Sequence, residues 1–376
     1  MSQLGGAGGA GGAGGAGGAG GAGGAGGAGG VGGYGGVSGT GGSNFGTMAD
    51  AYANPIMVEA LILGREGTTV PNDTTYYAPH LPGIDDPYQM ERWEAWVRAY
   101  ISVGDLLQGI NFQASGNNAF QVLSSATLIA EIGRPKLTTF QAQIPLVLSW
   151  AELRDERATE ILAQIDPQYA FWSSIVYLHP ERTRRTFELI NMVLQFCVYV
   201  EMRFKQAMAC WRPVEYNAQV QPMITTPGHG SFPMGHATQA YAVAYVLKQL
   251  LQIDPQKYAS VIDQLDRQAA RIATNRVIAG MHFPVDGMAG RMLGVALGEY
   301  FVARSTGSQT FVGRKFLAAG IDGAPATDFN PFDPAQDLDG NGAFYSKAPA
   351  PGNIAQSILM PYVWGKAQAE WAGRFP

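Results

Sequence analysis

Two histidines lie close together in a chain that contains only five. His229 and His236 fall in the segment GHGSFPMGHATQA, residues 228–240, and Gly235 directly precedes the second histidine. An apolar stretch follows, so His236 is expected at the start of a helix. Glycine lets a backbone N–H approach an anion closely, and a helix N-terminus adds a favourable dipole. The segment is therefore a candidate anion site with an imidazole beside it.

Two further segments could bring charge to the same site. Lys205 and Arg212 are two helical turns apart, and downstream Arg276 is followed by His282 and Asp286. Burying three cations together is costly unless they face a multiply charged oxyanion. Asp286 could orient His282 by accepting a hydrogen bond from one ring nitrogen. The residues together predict a pocket for a tetrahedral oxyanion.

Each residue also has an ordinary interpretation. Lys205 and Arg212 could be solvated charges on a helix surface, and His236 could be a capping or core residue. Asp286 could cap a helix over residues 287–303. The succession of three spaced motifs in one order favours a shared site over these separate roles.

The three segments resemble the signature of the type 2 phosphatidic-acid-phosphatase and vanadium-dependent haloperoxidase superfamily. That signature reads Lys-x6-Arg-Pro, then Pro-Ser-Gly-His, then Ser-Arg-x5-His-x3-Asp, and it matches within residues 205–286. Two positions depart from it, because Met234 and Asn275 stand where the family has serine. A thioether cannot donate a hydrogen bond, so Met234 predicts weaker anion binding.

In the haloperoxidase branch, the resemblance implies a vanadate cofactor with which hydrogen peroxide oxidises bromide or iodide. His282 would be the metal ligand and Asp286 would orient it, while His236 would act as acid and base. His229 would lie in the pocket on the halide side and adjust its polarity. The anion-binding residues implied by the resemblance are Lys205, Arg212, Gly235 and Arg276. The catalytic residues implied by it are His236, His282, Asp286 and His229.

The branch within the superfamily is a separate question. His229, seven residues before His236, resembles a histidine of the algal-type bromoperoxidases, and we favour the haloperoxidase-like branch. Proline two residues after His282 and the short spacing from Arg212 to His236 are typical of the phosphatases. There, His282 would form a phosphohistidine with a phosphate ester. A third hypothesis is a weakly active structural or assembly protein, with Met234 marking relaxed chemistry.

The chain divides by composition into a tail and a body. Residues 1–46 form a Gly-Gly-X low-complexity tail, expected to be disordered, with an assembly element as the alternative. Residues 47–376 are expected to form a single domain of all-α class, a multi-helix bundle with a loop-rich C-terminal segment. Helices are predicted over 51–66, 88–103, 117–133, 138–165, 180–211, 236–252, 255–281, 285–303 and 353–372.

Charge and hydropathy limit the partners. A net charge of −5 gives no reason to expect nucleic acid. The longest apolar run, residues 189–200, is too short to span a membrane, and no secretory signal is visible. We expect a soluble protein, cytoplasmic or exported without a recognisable signal, that forms a homo-oligomer. Cys197 and Cys210 are expected to be buried thiols.

A second metal expectation concerns calcium. In the segment DLDGNG, residues 337–342, Asp337, Asp339 and Asn341 follow the opening of a calcium loop. Ala348 stands at the twelfth position, where that loop needs a bidentate glutamate. An Asp- and Gly-rich turn is the alternative.

Overall fold

The computed structural model describes residues 55–375, apart from 73, 76, 78–79, 166–167, 308–309 and 341. The Gly-Gly-X tail of residues 1–46 lies outside the described residues. The expectations for that tail, and for a single domain over 47–376, therefore remain predictions.

Helices form most of the described chain. They are α1 (Pro55–Thr68), α2 (Ala95–Leu106), α3 (Leu137–Trp150), α4 (Arg154–Ala163), α5 (Tyr169–Val176), α6 (Arg184–Met208), α7 (Pro213–Tyr216), α8 (Gly235–Leu250), α9 (Ala259–Ile278), α10 (Pro284–Thr306), α11 (Ala318–Gly323) and α12 (Met360–Ala369). Short 3-10 turns lie at Pro87–Arg92, Ala151–Leu153, Ala218–Val220 and Pro334–Gln336. Among the described residues, every helix is too short or too polar to cross a membrane.

The predicted all-α class is wrong, because the structure contains a five-stranded mixed sheet. Its strands are β1 (Ile110–Ser115), β2 (Ala119–Ser124), β3 (Thr127–Gly133), β4 (Arg314–Phe316) and β5 (Tyr345–Lys347), in that order across the sheet. β1, β2 and β3 are antiparallel, β3 pairs with β4 in parallel, and β5 closes the sheet antiparallel to β4. The protein is therefore a helix-rich mixed α/β structure.

The error lies in residues 117–133, which were predicted as a helix and form β2 and β3. Ser125 has a φ of 52°, which reverses the chain between the two strands. Gly116, with a φ of 62°, makes the preceding turn. Ile129, Ala130 and Ile132 of β3 are fully buried. This segment is apolar because the sheet is covered by other elements, and such a run does not distinguish a strand from a helix.

The other predicted helices have different boundaries from those expected. The segment 138–165 forms two helices, α3 and α4, separated by a 3-10 turn, and Pro145 lies within α3. The segment 180–211 forms α6, and the last predicted helix, 353–372, is the shorter α12. Both cysteines are free and buried, as predicted.

Glycines bring α8 and α10 unusually close together. Gly290, Gly294 and Gly298 lie one turn apart on α10 and face α8. A Cβ atom added to Gly290 would lie only 2.6 Å from the carbonyl oxygen of Met234. One added to Gly294 would collide with the carbonyl group of Thr238. The absence of side chains here lets the two helices pack backbone to backbone, with their N-termini side by side.

Candidate functional site

Lys205 lies near the end of α6 and is 2% exposed. Its Nζ donates hydrogen bonds to the carbonyl oxygens of Gly230 at 3.2 Å, Ser231 at 3.0 Å and Pro233 at 2.6 Å. These bonds use all three protons of the ammonium group. Burial, followed by the neighbouring Arg212 charge, lowers the pKa of Lys205. In this arrangement the ammonium holds the loop that leads into α8.

Arg212 connects two of the predicted motifs. Its Nη1 donates to the carbonyl oxygen of Met281 and contacts Nε2 of His282, both at 3.0 Å. Its Nη2 contacts Nδ1 of His229 at 3.2 Å and donates to the carbonyl oxygen of Gly230 at 3.3 Å. Burial lowers the pKa of Arg212 to about 10, so the guanidinium stays charged at neutral pH.

His282 and Asp286 form a buried pair at the start of α10. Nδ1 of His282 donates to Oδ2 of Asp286 at 2.9 Å, and the same oxygen accepts the backbone N–H of Phe283 at 3.0 Å. A guanidinium can only donate, so the Nε2 that contacts Arg212 carries a lone pair. Burial and then the charges of Arg212 and Lys205 hold the pKa of His282 well below its usual range. His282 is therefore a neutral imidazole whose Nε2 can bond to an electrophile.

Arg276, on α9, is 1% exposed and incompletely hydrogen-bonded. Its Nη2 donates to the carbonyl oxygen of Ile161 at 2.9 Å and to Oε1 of Gln164 at 3.2 Å. Its Nε and Nη1 have no hydrogen-bond partner within the part of the chain that the structure describes. Buried donors without a partner are costly, and a bound anion would satisfy these two. Burial lowers the pKa of Arg276 to about 10, which leaves it charged.

His236 lies in the first turn of α8. Its Nε2 is 3.1 Å from the carbonyl oxygen of Gln164. A carbonyl can only accept, so Nε2 carries the proton and Nδ1 the lone pair. Burial, followed by the charge of Arg276, holds the pKa of His236 well below its usual range. His236 is thus neutral and can accept a proton at Nδ1.

Gln164, at the end of α4, was not predicted as a site residue. Its carbonyl oxygen contacts His236, and its Oε1 accepts hydrogen bonds from Arg276 and from Nδ2 of Asn275. Asn275 stands at one of the two positions that depart from the signature. A glutamine in a charged helix gives no signal of such a role, because these partners lie between 72 and 112 residues further along the chain.

The second motif lies at the N-terminus of α8, with Met234 as the N-cap residue and Gly235 as the first helical residue. Met234 is fully buried and makes no side-chain capping hydrogen bond. A Cβ atom added to Gly235 would lie 2.6 Å from Oε1 of Glu201. The sequence did not predict this carboxyl group beside the motif.

His229 lies against Arg212 on the loop before α8. Burial and the charge of Lys205 lower the pKa of His229 to about 4, so the ring is neutral. Its Nδ1 lies 3.2 Å from both Nη2 of Arg212 and the carbonyl oxygen of Gly230, and it accepts from the first or donates to the second according to the tautomer. His229 is only partly buried, so it lies at the edge of this group of buried side chains.

The predicted residues form two groups that lie within electrostatic range of each other. The first contains Lys205, Arg212, His229, His282 and Asp286. The second contains Arg276 and His236, joined by Gln164. The backbone N–H of Met234, next to the start of α8, donates to the carbonyl oxygen of Asp286 on α10 at 3.0 Å. The structure therefore brings these side chains together beside the adjacent N-termini of α8 and α10.

The segment predicted to bind calcium lies elsewhere. The carboxylate of Asp339 pairs with Arg314 at 2.9 Å and with Lys347 at 2.7 Å. Asn341 lies outside the described residues, and no group of three His, Cys, Asp or Glu side chains suited to a metal occurs in the described ranges. Calcium binding remains a prediction.

The comparison with known families agrees with the motif region. Residues 187–307 match the family model described as the PAP2 superfamily. The match runs from α6 to α10 and includes every predicted site residue. A search of curated proteins returned no match. The superfamily includes both phosphatases and haloperoxidases, and the match does not separate them.

Proposed function

Because residues 187–307 match the PAP2 superfamily, we propose that the protein is an enzyme that holds a tetrahedral oxyanion beside His282. One observation carries the proposal. His282 presents an unprotonated Nε2 in a buried site, and Asp286 fixes that tautomer from the other side of the ring. More specifically, we propose a vanadium-dependent haloperoxidase that oxidises bromide or iodide with hydrogen peroxide.

The donor set fits orthovanadate. An imidazole nitrogen with a lone pair can bind the metal, and the two buried guanidinium groups, with Lys205 in its protonated form, can offset the charge of the oxygens. Arg276 supports this fit most directly, because Nε and Nη1 are buried donors without a partner among the described residues. Bound vanadate would supply a Lewis acid that activates peroxide. Met234, at the position where the family has serine, adds no side-chain donor.

The remaining chemistry belongs to the protein side chains. Asp286 keeps the proton on Nδ1 of His282, so that Nε2 stays available. Arg212, which contacts Nε2 at 3.0 Å, would have to give up this contact when the oxyanion binds. His236 is neutral and has its lone pair on Nδ1, so it can remove a proton from incoming peroxide.

His229 supports the haloperoxidase branch over the phosphatase branch. It lies against Arg212, with its Nδ1 at 3.2 Å from Nη2. The resemblance to algal-type bromoperoxidases gives a histidine at this position a place on the halide side of the site. A phosphatase signature requires no such residue.

A phosphatase is the second candidate, favoured by the geometry of the third motif. Pro284 begins α10 two residues after His282, as in the phosphatase pattern. In this reaction, Nε2 of His282 attacks phosphorus and the bond to the ester oxygen breaks. His236, once its Nδ1 has taken a proton from the incoming phosphate monoester, passes that proton to the departing oxygen, and water then releases phosphate from the phosphohistidine.

Two assays on the purified protein test these proposals. The first contains vanadate, hydrogen peroxide and bromide, and the second contains a phosphate monoester without vanadate. Turnover in the first assay alone supports the haloperoxidase, and turnover in the second alone supports the phosphatase. Inactivity in both would contradict the enzymatic proposal and favour the structural or assembly hypothesis.

Replacing Met234 with serine is expected to tighten orthovanadate binding about tenfold, because one hydroxyl donor to an anion contributes about 1.5 kcal/mol. Equilibrium dialysis measures the change. The matched control is Met234→Ala, which also removes the thioether but adds no donor. Equal affinities of the serine and alanine variants would contradict a donor role for this position.

A further inference from the structure

Glu201 is a buried carboxyl group that the mechanism above does not use. It lies on α6, one turn before Lys205, and is 1% exposed. Its Oε1 accepts a hydrogen bond from Nε2 of Gln239 at 3.0 Å. Its Oε2 has no hydrogen-bond partner among the residues that the structure describes. A buried acid with a free oxygen requires an explanation.

The position of this carboxyl group is beside the second motif. A Cβ atom added to Gly235 would lie 2.6 Å from Oε1 and 3.2 Å from Oε2 of Glu201. Gly235 is the first residue of α8 and follows Met234 directly. The free oxygen therefore lies next to the helix N-terminus at which the family signature places its serine donor.

The surroundings favour the protonated form of Glu201. Lys205 directs its three protons to backbone carbonyl oxygens instead of to this carboxyl group. An ionised carboxylate with a single hydrogen bond would be strongly destabilised in a buried site. Burial raises the pKa of Glu201, and the charge of Lys205 and the Gln239 hydrogen bond oppose this only in part.

Apart from Lys205, the groups beside Glu201 on α6 and α8 are uncharged. On α6 itself, the pKa of Cys197 is raised by burial and then by Glu201, so the thiol stays neutral. From α8 the carboxyl group meets the uncharged Gln239 and Gly235. From α10, Asp286 interacts with Lys205. Glu201 and Lys205 are thus the pair whose charges respond to each other.

We propose that protonated Glu201 donates a hydrogen bond from its carboxyl O–H to the bound oxyanion and replaces the donor that Met234 lacks. The inference rests on the proposed oxyanion site and deepens it. A neutral carboxylic acid is a strong donor to an anion, whereas an ionised carboxylate would repel it. Oxyanion binding is then coupled to the proton on Glu201.

The test uses tungstate, a tetrahedral dianion, and two variants of the full chain. Glu201→Gln keeps a donor without an ionisable proton, and Glu201→Leu keeps the size but removes the donor. On the acidic side of neutrality, we expect Glu201→Gln to bind within about threefold of the wild type and Glu201→Leu about tenfold more weakly. On the alkaline side, the wild type should lose affinity while Glu201→Gln keeps more of it.

A rescue experiment separates the donor role from packing. If Glu201 replaces the missing serine, adding Met234→Ser to Glu201→Leu should restore about tenfold in tungstate affinity. Circular dichroism establishes that each variant is folded, and Glu201→Gln together with the wild-type pH profile tests the idea even if Glu201→Leu does not fold.

The outcomes are distinct. Equal binding by the glutamine and leucine variants, or parallel loss of affinity by wild type and Glu201→Gln as pH rises, would overturn the inference alone. The second of these results would assign the pH response to Lys205. Failure of the wild type to bind tungstate at either pH would remove the oxyanion site, and the inference with it.

Discussion

Replacing His282 with alanine is expected to lower turnover by about 10³-fold or more in whichever of the two assays the wild type is active. His282 is the buried group whose unprotonated Nε2 faces Arg212 while Asp286 holds the opposite nitrogen. Removing the ring deletes the atom that bonds to vanadium or phosphorus in either proposed reaction. Vanadium content after dialysis, or trapping of a phosphorylated protein, measures the same loss directly.

His179 provides the control for this variant. It is a histidine between α5 and α6 whose Nδ1 accepts the backbone N–H of Glu181, and it belongs to neither group of the site. His179→Ala should keep turnover. Wild-type activity or vanadium content in His282→Ala would contradict the assignment of His282.

The pH dependence of folding stability tests the His282→Ala variant in a second way. Folded His282 stays neutral, because burial holds its pKa well below the usual range. Below the ordinary histidine pKa of about 6.5, the unfolded chain binds a proton there that the folded chain does not. The wild type therefore loses stability on acidification, and His282→Ala should lose less over the same range.

Replacing Arg276 with methionine is expected to weaken tungstate binding by about 10²- to 10³-fold, the effect of about 3–4 kcal/mol of lost charge stabilisation. The same change should leave the free energy of unfolding unchanged or raise it by about 1 kcal/mol. Nε and Nη1 are buried without a partner among the described residues, so an apolar side chain of similar length removes a cost. Gln164 keeps its hydrogen bond from Asn275.

Arg271→Met on the same helix is the matched control. Arg271 pairs with Glu160 at 2.8 Å and is partly exposed, so its loss should change tungstate binding little. Binding is measured by calorimetry and stability by denaturant unfolding. A less stable Arg276→Met protein that still binds tungstate normally would show that Arg276 serves the fold instead of the anion.

The sequence predicts the residues of the proposed site from motif spacing, and their role in binding an oxyanion stays a prediction. Lys205, Arg212, His236, Arg276 and His282 fall at or near the ends of helices, where side chains from distant segments can meet, and the structure places them in two neighbouring groups. Gln164 and Glu201 were not predictable. Gln164 contacts His236 through a backbone carbonyl, which any residue type could supply. Glu201 lies on the same helix as Lys205, and only the packing of α8 places it beside Gly235.

The fold was less predictable than the site. The long helices α6, α8, α9 and α10 lie within or close to the predicted segments, although their boundaries differ, and the short helix α7 was not predicted. The strands β2 and β3 were not predicted either, because an apolar run fits a buried strand as well as a helix. β1, β2 and β3 are neighbours along the chain, but β3 also pairs with a distant strand. β3 pairs in parallel with β4, and Ala130 meets Arg314 in this register. The residues around β3 give no information about β4, which lies almost two hundred residues further along the chain.

The glycines of α10 determine how closely the two halves of the site approach each other. Gly290, Gly294 and Gly298 let α10 pack against α8, which carries His236, while α10 itself carries Asp286. Beside this pair, Gln164 contacts His236 through its carbonyl oxygen, and Lys205 binds carbonyl groups of the loop before α8. A side chain introduced at any of these glycines would collide with α8 and push the two helices apart, so the small size of these three residues sets the distance between His236 and Asp286.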